Sequence, residues 1–245
     1  MLSLRLLRSL WITAGIMLLG HVVTLYLFLE HGVSREYGVP RHFDLNGEGN
    51  FASWFESFPL LVAAMVTFLL ASHYRDSGAP LAHRWAALSG VLLLMSIDEA
   101  SQLHDLFTGP LRRGLAIDFG VFYFAWLIPA VAFLVLAAWY FAPVIRSLPA
   151  STQLRLIAAA GIYFGGAIVV EMLSGFAVEN GRKSTPYLTV LTFEEACEIS
   201  GILLAVGTLL RLLHTVQPRS TIELLGAGGG TVGVAPAATA PAEPR

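Results

Sequence analysis

The sequence predicts an all-α polytopic membrane protein, a bundle of about six transmembrane helices. Three observations predict it. The 245-residue chain is 56% hydrophobic and only 13% charged, where a soluble domain carries roughly a quarter charged residues. Its mean hydropathy is +0.68. Its apolar residues gather into long runs, and a bilayer core of ~30 Å needs about 20 of them in a helix. Backbone groups in lipid must pair within their own segment, so these runs are helices rather than lone strands.

The expected spans are 9–29, 57–72, 85–107, 119–141, 154–175 and 187–213, within a transmembrane domain over 1–218. The first follows Arg5 and Arg8. It is longer than a signal-peptide core and no small-x-small cleavage site ends it, so it reads as an uncleaved anchor. The second is short and begins at the aromatic end of the loop FDLNGEGNFASWFES. The fourth contains Pro129, which predicts a kink. The fifth carries Gly161 and Gly165, a small-xxx-small pair expected to pack closely on a neighbour. The tail 219–245 is rich in Gly, Ala and Pro and is expected to be disordered and cytoplasmic. With the N-terminus inside, Arg and Lys near the helix ends number eight inside against six outside. That bias predicts a plasma (inner) membrane protein with both termini cytoplasmic.

Composition also excludes classes. A net charge of −2 without a basic stripe argues against nucleic acid as a partner. The single Cys197 excludes an internal disulfide and a Cys-based zinc site. No haem is expected, because no spacing places two facing His pairs at matching depth. The partners expected are the lipid bilayer and a metal ion or a proton.

The informative residues lie inside the apolar runs. The third span reads LLLMSIDEASQLHDLF, with Asp98, Glu99, His104 and Asp105. The fifth carries Glu171, and the sixth reads LTFEEACEISGILLAVG, with Glu194, Glu195 and Glu198. A charge near the bilayer centre costs at least ~2.5–3.5 kcal/mol on insertion scales. These acids must face the bundle interior or a water-filled cavity, and be protonated, paired or metal-bound. At about 100° per residue, Glu194, Glu195 and Glu198 fall on one face of their helix, as Asp98, Glu99 and Gln102 do on theirs. With the N-terminus inside, all lie in the outer halves of their helices. SIDEASQLH and TFEEACEIS align, which is either an inverted internal repeat or a coincidence.

Carboxylates suit hard divalent cations, and His104, with His21 as a further candidate ligand, widens the choice. A divalent metal is therefore the first candidate cofactor. The concrete version is a metal-activated water attacking a lipid-borne group. A proton- or cation-coupled transporter or channel using the same acids is the alternative, and a structural or sensor protein is third. The inner halves of the third and sixth spans, ALSGVLLLM and ILLAVGTLL, are apolar, which favours a site open on one side. The loop 43–57 has acids at alternating positions and Gly49 at the sixth, as in a calcium loop, but its twelfth position is Phe55 rather than Glu. It is either an Asx-type turn or a lid in which Asp44 or Glu48 covers the acidic cavity.

Taken together, FDLNGEGNFASWFES, SIDEASQLH and FEEACE resemble a group of uncharacterised bacterial six-helix multi-pass membrane proteins, over most of the chain up to the sixth span. The resemblance implies a six-helix membrane fold and no activity.

Overall fold

The computed structural model describes residues 2–47 and 49–217. The expected disordered tail and Glu48 lie outside the described residues. The described chain is all-helical. In order come α1 (Leu2–His31), α2 (Gly38–Phe43), α3 (Phe51–Asp76), α4 (Ala82–Ser101), α5 (Asp105–Leu115), α6 (Leu127–Arg146), α7 (Ala150–Phe164), a π-helical turn (Gly165–Val170), α8 (Glu171–Ala177), a 3₁₀ turn (Val178–Asn180) and α9 (Thr185–Val216). Among the described residues, five stretches are long and apolar enough to cross a membrane: Leu4–His31, α3, α6, Ala150–Asn180 and α9. Helices α4 and α5 complete a sixth only as a pair bent by 82°.

Local chemistry explains where these boundaries differ from the expected ones. Helix α3 starts at Phe51 because Asn50 caps it. The Asn50 side chain accepts from the Ser53 N–H at 3.0 Å, and Ser53 Oγ accepts from the Asn50 N–H at 3.2 Å, a reciprocal pair that satisfies two orphan donors. The expected single helix over 85–107 is broken. Asp98 Oδ1 accepts from the His104 backbone N–H at 2.8 Å, and Gln102 takes the left-handed conformation at φ 49°. A side-chain acceptor near the end of a helix competes with the helical ladder and ends it.

Pro129 falls in the first turn of α6, where no ladder bond is lost, so it makes no kink. Residues before it fold as turns, with Gly120 at φ 88°. Ser184 caps α9 and Pro186 sits in its first turn.

The core runs along α3 and α9, where Leu60, Leu70, Leu203 and Val206 are buried together with Met17 of α1. The expected close pair Gly161–Gly165 plays no part, since neither glycine has another group within 4 Å of a built Cβ. The tight contacts are elsewhere. A Cβ on Gly201 would stand 2.5 Å from the Tyr163 backbone N, and one on Gly166 would stand 2.8 Å from the Glu194 carbonyl. Bare glycines thus let α7 and its π turn approach α9, as membrane helices commonly do.

Candidate functional site

Four connections between helices meet in one place, through Leu45, Asn46 and Gly47, Gln102 and His104, Phe124 and Trp126, and Arg182. A cavity of about 510 Å³ opens there. Asp98, Glu99, His104, Glu171, Glu194, Glu195 and Glu198 all line it, and so do Glu56 and Asp105. Eight carboxyl residues from five helices therefore share one space. Apart from His104, Arg182 is the basic residue in that lining among the described residues.

Each acid is positioned by its own element. The spacing of Glu194, Glu195 and Glu198 turns them to one side of α9. The π turn re-aims the chain just before Glu171; such turns inside helices are frequent at functional sites. Trp126 Nε1–H donates to Glu171 Oε1 at 3.1 Å, and the Trp126 ring lies 4.6 Å from that of His104. The His104 Nδ1 is 2.9 Å from Asp98 Oδ2. With Nδ1–H donating to that carboxylate, Nε2 is the nitrogen left to accept. Ser174 Oγ–H donates to the buried Glu194 at 3.1 Å. The Glu56 carboxyl bonds to that of Glu195, and its Oε1 is buried with no donor on it.

Two of the candidate residues stand apart from this cavity. His21 is fully buried between α1, the 44–50 loop and α9. Its Nδ1 accepts from the Leu45 N–H at 3.1 Å, so Nε2 carries the proton toward Thr192 Oγ1 at 3.2 Å. Thr192 in turn donates to the Leu188 carbonyl at 2.7 Å. With both ring nitrogens engaged in the fold, His21 offers no ligand to the acids. Asp44 does not line the cavity either. Its Oδ1 accepts from the Asn46 N–H and from Arg35 Nη1, both at 3.3 Å, which makes the loop an Asx turn. Burial pushes the Asp44 carboxyl above its usual range, and Arg35 offsets this only in part. The loop reaches the cavity through Leu45, Asn46 and Gly47 instead.

Tyr123 carries Arg112 3.9 Å and Arg182 5.7 Å from its ring centroid. Burial opposes ionisation of the Tyr123 phenol, but the two guanidiniums outweigh it and hold its pKa below the ordinary tyrosine value.

Glu56 is the site residue that spans and periodicity miss. A second span that starts at 57 leaves it in the loop. The signal is Asn50, three residues ahead of Ser53: a cap there moves the helix start to 51 and Glu56 into the bundle. Among the described residues, no group of three or more His, Cys, Asp or Glu side chains is placed to hold a metal ion.

A family model described as "Domain of unknown function (DUF8692)" matches residues 9–212. The chain belongs to this family. The matched region takes in every cavity residue of the DUF8692 bundle named above, from Leu45 to Glu198. No curated protein and no solved structure matches the chain.

Proposed function

We propose that this membrane protein binds a cation in its acidic cavity. The cavity lining carries the reading: eight carboxyl residues from five helices share it with one arginine and one histidine. Carboxyls this close cannot all ionise without a counter-charge, and a cation supplies the charge that one arginine and one histidine leave unmatched. Ionisable groups at membrane depth mark ion or substrate sites by default.

The carboxyls surround a space much wider than a coordination shell with bonds of ~2–2.6 Å. They do not supply the ligand set that a metal-activated water needs, since no three converge. A hydrated or organic cation suits the arrangement better than a bare divalent metal. Passage through the membrane is disfavoured, because beyond the cavity α9 packs Leu203, Val206 and Leu209 into an apolar core. We place the cavity on the outer face of the plasma membrane and the start of α1 in the cytoplasm, on the bias of Arg and Lys near the helix ends.

Isothermal titration of the purified chain in dodecyl maltoside micelles, with Mn²⁺ and with tetramethylammonium, tests the proposal. Saturable binding of one cation is expected, weakened about tenfold in Glu56→Gln and in Glu194→Gln, the equivalent of one charged hydrogen bond. Absence of saturable binding of either cation by the wild-type protein overturns it.

A further inference from the structure

The geometry points to a lipid-borne organic cation as the ligand of this cavity, entering from the bilayer between α4 and α6; the inference rests on the cation-binding reading above. Helix α6 is held at its two ends. At the first, Leu127 is buried and the adjacent Trp126 reaches Glu171 and His104. At the second, Val144 is buried, and Arg84 of α4 lies 4.9 Å over the Tyr140 ring and donates to the Tyr140 carbonyl. Between these clamps α6 buries no residue.

The cavity lining extends into that stretch, through Met95 on α4 and Ala130, Phe133 and Leu134 on α6, while Val131 and Leu134 also pack against the cluster of Leu127 and Ile168. Phe133 lines the cavity while 54% exposed. The cavity wall is therefore continuous with the outside of the bundle at membrane depth, where the neighbour is hydrocarbon.

The two parts of the cavity differ in chemistry. Its inner part holds the carboxyls. Its gap is aliphatic and aromatic. Tyr163 and Phe164 in the wall add ring faces, which attract ammonium groups. An amphiphile with a quaternary ammonium or amine head and a hydrocarbon tail satisfies both parts at once. An anionic head would meet carboxyls on every side. A bare metal finds no three-ligand set and leaves the apolar gap without a purpose.

The test compares dodecyltrimethylammonium with tetramethylammonium, both radiolabelled, binding to the full chain in dodecyl maltoside micelles. The amphiphile should bind saturably and at least ~10-fold more tightly, because each buried methylene adds ~0.8 kcal/mol. Ala130→Trp, which fills the gap, should weaken amphiphile binding at least ~10-fold and leave tetramethylammonium within ~2-fold, since ten-fold corresponds to ~1.4 kcal/mol. If that variant loses both ligands, Met95→Trp fills the same gap from α4 and is held to the same expectation; loss of both ligands there too overturns the inference. Equal affinity of the two cations, equal effects of the tryptophans on both, or competition by dodecanol as effective as by the amphiphile overturns the lipid-borne cation and leaves the cation cavity standing. No binding of either cation by the wild type overturns both readings.

Discussion

Asp98 grips His104 twice: Oδ1 accepts its backbone N–H at 2.8 Å, and Oδ2 lies 2.9 Å from ring Nδ1. One carboxyl thus ends α4 and orients the imidazole at the cavity. Charge-assisted hydrogen bonds contribute about 1.5–3 kcal/mol each. Asp98→Asn removes the charge and keeps one acceptor. Amide exchange over 102–107 should speed up about tenfold, while exchange in α9 stays unchanged. Equal acceleration in α9 would show that the pair holds the whole bundle rather than the break.

Gly201 and Gly161 make a matched pair of substitutions. A Cβ at Gly201 meets the Tyr163 backbone, which cannot rotate away, whereas one at Gly161 meets nothing within 4 Å. Gly201→Ala should destabilise the protein by about 1–3 kcal/mol through forced separation of α7 and α9. Gly161→Ala should be neutral, or stabilising by up to about 1 kcal/mol through helix propensity. Thermal unfolding in micelles reads both.

His21→Ala leaves the Leu45 N–H without its acceptor and Thr192 Oγ1 without its donor, both in the interior. A cost of about 2–5 kcal/mol is expected, from unpaired polar groups and from the cavity left behind. The 44–50 loop should become susceptible to limited proteolysis. A loop as resistant as that of the wild type would mean that the Asn50 cap alone secures it.

Asp44 sets a pH dependence of known sign. Burial holds its pKa above the ordinary 3.8, with Arg35 pulling the other way. The folded state therefore binds this proton more tightly than the unfolded chain does. The associated stability is fully present below the unfolded value and is lost as pH rises through the folded one. Asp44→Asn removes this titration. Between about pH 4 and pH 7 the melting temperature of the variant should fall less than that of the wild type; an identical fall in both would assign the slope to other groups.

The membrane class, the helical elements and the acid-bearing faces are legible in the sequence because they rest on local rules. Run length decides a span, and spacing decides which residues share a side. The break at Gln102 is not legible. SIDEASQLH and TFEEACEIS align residue for residue, yet the first leaves the helix at Gln102 and the second continues through Glu198. The difference lies in the partners of the two acids. His104 offers a backbone N–H and a ring nitrogen to Asp98, whereas Glu194 is engaged by Ser174 from another helix. Sequence alone also misplaces the close packing, on Gly161 and Gly165, because a glycine's spacing does not state which way its helix is turned.

The sequence by itself determined that this chain is a helical membrane protein with acids where lipid would refuse them. Only the tertiary structure decided that those acids share one cavity, that Glu56 joins them, that His21 and Asp44 secure the fold beside it, and that α6 buries no residue between Leu127 and Val144. The physical reason is rotational. Periodicity places side chains relative to their own helix axis, but the rotation of each helix is set by contacts far apart in the chain, such as Gly166 against Glu194 and Gly201 against Tyr163.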